Sequence, residues 1–248
     1  MEAASFEGAV KAYGSLVALA GLTLEVRAGE VFALVGPNGA GKTTALGLLT
    51  GILRPTAGTV RVFGHDLSRD PLAAKARLGY VPDRPYLWPR WTPRETLRFV
   101  GATFGLSGPG LDRSVEAELR AFGLEGVASR PNESLSHGTR QKVALAQAFL
   151  HDPGLFVLDE PMVGLDPSAQ RLLVSRLAER TARGAAVLLT THQLSLAEEV
   201  AERVGVLVGG RLLAVGDPRS LAAGARPAGR LAEVFFELAP GPTAGEGP

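Results

Sequence analysis

The residues Gly36-Pro37-Asn38-Gly39-Ala40-Gly41-Lys42-Thr43 satisfy the pattern G-x-x-x-x-G-K-[ST], which is a phosphate-binding loop when it joins a strand to a helix. Gly39 and Gly41 let backbone N–H groups turn inward around an anion, and the helix that opens near Thr43 points its positive end at the same place. Lys42 would bridge the terminal phosphates, Thr43 would offer its hydroxyl to Mg²⁺, and Thr44 completes the phosphate-binding set. A metal held by phosphates wants a carboxylate as well. Leu155-Phe156-Val157-Leu158-Asp159-Glu160 supplies one at the end of an apolar run, with Asp159 as metal ligand and Glu160 as general base toward an attacking water. An Asp-Glu pair in isolation reads as a solvated strand end, but four apolar residues before it and Pro161 after it favour the chemical role. His192 ends the next strand and is placed to hydrogen-bond the γ-phosphate; His65, His137 and His151 show no metal-ligand spacing with it.

The elements that must position these groups follow from periodicity. Ala9-Val10, Leu22–Val26 and Val31–Val35 read as strands, the last as a continuous apolar run that feeds the glycine loop and a helix over Thr43–Leu53. Leu155–Leu158, Ala186–Thr190 and Val204–Val208 read as further buried strands, with a helix over Ser168–Arg183 completing a right-handed βαβ unit. Between Tyr80 and Pro153 helical periodicity takes over. Thr92, Pro93 and Glu95 form a capping box that opens a helix to about Phe104; a second helix starts near Asp112 and stops before Gly123. A third follows Ser136 and ends at Asp152-Pro153. After Gly216 the chain reads as loop until a short amphipathic helix over Leu231–Leu238, and 239–248 reads as a disordered tail.

Composition narrows the function further. The 248 residues are 46% hydrophobic and 21% charged, with 26 basic against 25 acidic side chains, so no global field holds the chain on nucleic acid or anionic lipid. The absence of cysteine excludes disulfides, thiolate metal sites and a cysteine nucleophile. No apolar run approaches the roughly 18 residues needed to cross a bilayer. Lys11 followed by Leu16–Ala20 imitates a signal peptide, but the run is short and Glu2 and Glu7 precede it, so it is not read as one.

Taken in order, these motifs resemble the nucleotide-binding subunit of an ATP-binding cassette (ABC) transporter over about Val10 to Leu238. Leu135-Ser136-His137-Gly138-Thr139 looks like the family signature LSGGQ and lies just upstream of the Asp159 strand, with Ser136 and Gly138 matching. The resemblance implies an α/β fold: a P-loop NTPase (RecA-like) parallel-sheet core, an N-terminal antiparallel β subdomain and an inserted α-helical subdomain. It implies one domain over 1–238, with 1–82 and 153–216 as core, 83–152 as the helical subdomain and 217–238 as a C-terminal extension. It also implies ATP and Mg²⁺ as cofactors, and a homodimer or paired cassette that sandwiches two ATP, with Ser136 and Gly138 gripping the γ-phosphate held by the other subunit. Asp166, in Gly164-Leu165-Asp166-Pro167, resembles the residue of the loop that crosses between the sites, and Tyr13 sits where the family stacks an aromatic ring on adenine.

The implied activity is ATP hydrolysis driving export through a separate transmembrane permease subunit, on the cytoplasmic face of the cell membrane. The helical insertion near Asp83 to Phe104, where Tyr86, Trp88 and Trp91 crowd a Pro-rich loop, is the expected coupling surface, the alternative for either tryptophan being packing into the protein's own core. Two departures stand out. Tyr80-Val81-Pro82 is followed by Asp83 where the family has Gln, and His137 replaces the first signature glycine. Asp83 still offers an oxygen to Mg²⁺. Such variants, and the ending Leu231–Leu238, resemble the drug and antibiotic exporter subfamily. The alternative, a cassette ATPase acting on nucleic acid or ribosomes, calls for paired cassettes, coiled-coil arms or basic extensions, and the sequence has none.

Overall fold

The computed structural model describes residues 1–225. A long hairpin opens the chain: β1 (Glu2–Tyr13) and β2 (Leu16–Arg27), turned at Gly14, whose φ is +60°. Both strands run well beyond the short segments the sequence predicts, and Leu16–Ala20 is simply the first half of β2. β3 (Val31–Val35), buried at every residue, leads through the glycine loop into α1 (Lys42–Leu49). Then come β4 (Ala57–Val62), β5 (His65–Asp66), α2 (Pro71–Lys75) and β6 (Leu78–Val81), which apolar periodicity does not predict because the segments are only two to six residues long.

Three helices follow: α3 (Pro93–Thr103), α4 (Gly108–Ala121) and α5 (His137–Phe149). The capping box on α3 is present in full: Thr92 Oγ1 accepts from Glu95 N at 3.2 Å, and Glu95 Oε2 accepts from Thr92 N at 2.8 Å. α4 starts at Gly108, ahead of the expected Asp112, and α5 stops at Phe149, short of Asp152. The chain continues as β7 (Leu155–Asp159), α6 (Pro167–Ala182), β8 (Ala186–Thr191), α7 (Leu194–Val200), β9 (Arg203–Val208), β10 (Arg211–Gly216) and α8 (Pro218–Ala225). α8 corrects the expected loop after Gly216. Asp217 caps it, accepting from Ser220 N at 2.9 Å, and Pro218 takes the first helical position, where its missing N–H costs nothing. The expected helix Leu231–Leu238 and the tail 239–248 lie outside the described residues.

The strands form two sheets. One is antiparallel, in the order β2-β1-β4-β5; the other has the order β10-β9-β3-β8-β7-β6 and is parallel except for β10. Alternation along β3 divides the core. Phe32 and Leu34 face the antiparallel sheet and α1, among Phe6, Leu22, Leu46 and Leu188, while Ala33 and Val35 face the helices, among Phe149, Leu158 and Leu173. This is the α/β architecture expected from the sequence.

The register places the site. Val35 pairs with Thr191 and Asp159 with Thr190, so β3, β7 and β8 end side by side at one edge of the parallel sheet. The helical layer is fastened by a buried ion pair: Glu118 of α4 accepts from Arg176 of α6 through both oxygens, at 2.6 and 2.8 Å. The Arg176 guanidinium also lies over Phe122 and Phe149, 4.9 and 4.6 Å from their centroids.

Candidate nucleotide site

The glycine loop threads a gap that only glycine fits. A Cβ on Gly36 would come within 2.2 Å of the Leu207 carbonyl oxygen, and one on Gly41 within 2.6 Å of that of Ala18. Gly41, at φ +105°, immediately precedes α1 and brings no side-chain cap to it, and the first turn of the helix carries no acidic residue. The backbone N–H groups at that end are thus left to an anion. Lys42 is buried, and its ammonium donates to the Gly36 and Pro37 carbonyls at 2.7 and 3.1 Å. Burial pulls its pKa down, while the Glu160 and Asp159 carboxylates oppose that shift.

At the end of β7, Asp159 is 2% exposed, and one of its oxygens accepts from the Thr190 hydroxyl. Glu160 turns the chain out of the strand at φ +47°, a left-handed conformation unusual for a non-glycine residue. Two bonds from β8 hold it there: its N–H donates to Thr190 Oγ1 and to the Thr190 carbonyl, each at 3.2 Å. Its carboxylate lies 2.9 Å from His192 Nδ1, so the expected base and the expected γ-phosphate contact are hydrogen-bonded to each other.

These groups open into one cavity of about 580 Å³. It is lined by Tyr13, Asn38, Gly39, Ala40, Gly41, Lys42, Thr43, Thr44, Asp83, Asp159, Glu160 and His192 from the predicted set, and by Leu16, Ala18 and Val163, which sequence reasoning missed. Leu16 and Ala18 come from β2 beside Tyr13, and the alternation after the Gly14 turn was the available signal. Thr190 was missed as well, since a threonine ending an apolar strand looks like any other. Gly36 and Pro37 border an adjoining pocket that also includes His192.

Ser136, Gly138 and Asp166 do not line this cavity. Ser136 caps α5, accepting from Thr139 N at 3.2 Å. Asp166 caps α6 and meets Lys142 Nζ at 3.2 Å; the Ser168 hydroxyl, the Ala169 N–H and the Lys142 ammonium hold its carboxyl far below the usual carboxylate range. Asp83 sits two residues beyond β6, in the same cavity as Thr43 and Asp159. Its strand neighbour Tyr80 has a pKa pushed up to about 12, by burial first and then by Asp159 and Asp83.

The oxygens that Thr43, Asp159 and Asp83 bring to this cavity are hard ones, a hydroxyl and two carboxylates. That chemistry fits Mg²⁺ delivered with phosphates, since this ion keeps few protein ligands. Among the described residues no cluster of three or more carboxylate, imidazole or thiol groups is arranged to hold a metal by itself.

The comparisons with known proteins agree with this geometry. The family model described as ABC transporter matches residues 19–163. The chain is 41% identical over 221 residues to Nod factor export ATP-binding protein I of Paraburkholderia xenovorans, covering 89% of this chain and 73% of that protein. The solved ATP-binding subunit of an ABC transporter superposes with a TM-score of 0.90 at 33% identity, covering 95% of this chain and 99% of that one. A dimeric post-hydrolysis state of an ATP-binding cassette, bound to ADP and Pi, gives 0.80 at 25% identity, with 86% and 98% covered. The chain belongs to the ABC transporter family, as one of its ATP-binding subunits. Its activity is that of the class, ATP hydrolysis in the service of transport.

Proposed function

We propose that two copies of this chain, or this chain and a paired cassette, close on two ATP molecules and so drive a separate transmembrane permease subunit at the cytoplasmic face of the membrane. One observation carries the reading: Ser136, Gly138 and Asp166 stand outside the cavity that gathers every other candidate residue or adjoins it. They are available to a second chain's nucleotide, presented on a capped helix end suited to a γ-phosphate. Tyr13 stacks on the adenine, and the N–H groups of 38–44 with Lys42 hold the phosphates. Thr43, Asp159 and Asp83 would hold Mg²⁺, which would supply positive charge to offset that of the phosphates. Glu160 takes a proton from the attacking water as its oxygen bonds the γ-phosphorus and the bond to the bridging oxygen of ADP breaks. His192 orients Glu160 and contacts the γ-phosphate.

The coupling surface adjoins a groove of about 290 Å³ lined by Ile52, Tyr80, Val100, Phe104 and His151, among others. Tyr80 faces this groove while Asp83, three positions on, faces the nucleotide cavity, so one short segment touches both. We assign the groove to the permease, with the exposed Tyr86 and the packed Trp88, Trp91 and Phe99 at its approach. No helix among the described residues is long and apolar enough to cross a membrane. The relative is named for Nod factor export, and export is the direction proposed here. The test is light scattering on Glu160→Gln, which should retain ATP and form dimers while hydrolysis falls by about 10²-fold or more; adding Ser136→Arg should return it to monomers. Near-normal turnover in the first variant, or dimers in the second, would refute the scheme.

A further inference from the structure

The family resemblance places glycine at position 137, and the structure shows what the histidine does instead. The His137 ring occupies the space in which a side chain on Gly164 would lie: a Cβ there would be 2.4 Å from His137 Cδ2 and 2.8 Å from Nε2. The next residue adds a backbone contact, since a Cβ on Gly138 would fall 2.4 Å from the Gly164 carbonyl oxygen. Farther along α5, buried Gln141 donates to the Pro161 carbonyl at 3.3 Å, and Lys142 meets Asp166 at 3.2 Å. The first turns of α5 therefore grip the loop 161–166 at four places. That loop is braced internally, with Val163 N donating to the Glu160 carbonyl at 3.1 Å and Leu165 N to that of Met162 at 3.2 Å. It begins at the residue after Glu160, so a shift of α5 reaches the Glu160 backbone through a few stiff contacts.

We propose that His137 is a positioning residue: its ring wedges the start of α5 against Gly164, so that seating of the partner-held γ-phosphate on Ser136 and Gly138 sets the aim of Glu160 in the same chain's own site. This rests on the shared-site reading above. Each chain contributes its signature turn to one ATP and its Glu160 to the other, and the wedge makes hydrolysis at one site depend on occupancy of its neighbour. Glycine at 137 would leave the ring's space empty and let the loop drift relative to α5. Misplacement of a reacting group by about 1 Å costs up to about 10²-fold in rate. His137 is exposed, so removing its ring opens no core cavity.

His137→Gly is compared with wild type in steady-state hydrolysis, and the same change is made in the Glu160→Gln background for ATP-driven dimerisation. The expected result is a kcat lower by about tenfold, with KM and the dimerisation midpoint each within about twofold of the parent. His137→Asn, whose planar amide refills much of the gap, should recover a large part of kcat, and Gly164→Ala, which displaces the ring from the other side, should lower it. A kcat within twofold of wild type in His137→Gly overturns the relay. So does a dimerisation midpoint that moves as far as kcat, because the ring would then act on association rather than on Glu160. A Glu160→Gln chain that stays monomeric in saturating ATP overturns the shared-site reading, and the relay with it; a normal dimer with unchanged His137→Gly turnover removes the relay alone.

Discussion

Thr190→Val should disarm the site without altering its shape. The Thr190 hydroxyl is buried; it donates to Asp159 Oδ1 and accepts from Glu160 N at 3.2 Å, so one side chain braces both the expected metal ligand and the expected base. Valine keeps the volume and deletes both bonds. A hydrogen bond to a charged group contributes about 1.5–3 kcal/mol. Glu160 N keeps the Thr190 carbonyl at 3.2 Å, so its loss is the smaller, about 0.5–1 kcal/mol. The total of about 2–4 kcal/mol divides between folding and catalysis. Glu160 sits at φ +47°, a conformation that costs about 1–3 kcal/mol and persists only while its surroundings enforce it. If half the loss appears as displacement of Asp159 and Glu160, kcat falls by about five- to thirtyfold, and unfolding becomes easier by about 1–2 kcal/mol. Initial hydrolysis rates at saturating ATP measure the first quantity, and urea unfolding followed by Trp88 and Trp91 fluorescence measures the second. Thr190→Ser retains the hydroxyl and should stay close to wild type. A valine variant that hydrolyses ATP within threefold of the parent and unfolds at the same urea concentration would show that Thr190 holds neither residue.

Two further expectations concern the frame. Glu118→Ala strands Arg176 in a largely buried position, while Arg180 keeps its ion pair with Asp152, and should cost about 3–5 kcal/mol, whereas Glu118→Leu with Arg176→Met should recover most of it; a loss under about 1 kcal/mol in chemical denaturation would mean the pair fastens nothing. His151 stacks on Phe104 at 3.6 Å and holds the Leu78 carbonyl at 2.8 Å through Nε2, and its pKa is lowered by burial, with the Leu78 bond opposing. The folded ring therefore resists protonation that the unfolded chain accepts near a pH of about 6.5. Its stabilising contribution is complete above that pH and is lost as pH falls through it toward the folded value. Urea unfolding at acidic and neutral pH should show a smaller difference for His151→Gln than for wild type, and equal differences would rule the ring out as the cause.

The candidate site was legible where a residue's type and its position in an element coincide. Lys42 after a glycine loop and Asp159-Glu160 after four apolar residues could be placed at one cavity because a buried parallel strand must present its last residues at the sheet edge. The Thr92–Glu95 box announced α3 for the same reason, since its bonds are local. What escaped depends on contacts distant in sequence. Thr190 acquires its role only when β8 pairs with β7, and Leu16 and Ala18 only when β2 folds over the loop. β6 is four residues around Gly79, whose missing Cβ admits the Ala148 carbonyl; no periodicity could emerge from so short a segment. α8 was there to be read, because Asp217-Pro218 is a helix start that a Gly- and Ala-rich stretch disguised.

The two ends of the candidate cavity are built on different sheets. Tyr13, Leu16 and Ala18 come from the antiparallel hairpin, whereas the glycine loop is locked between Ala18 and Leu207 with no room for one added carbon. If Tyr13 stacks on the adenine as proposed, room for a bulkier purine is to be carved at the 66%-exposed Leu16, with the glycines left untouched.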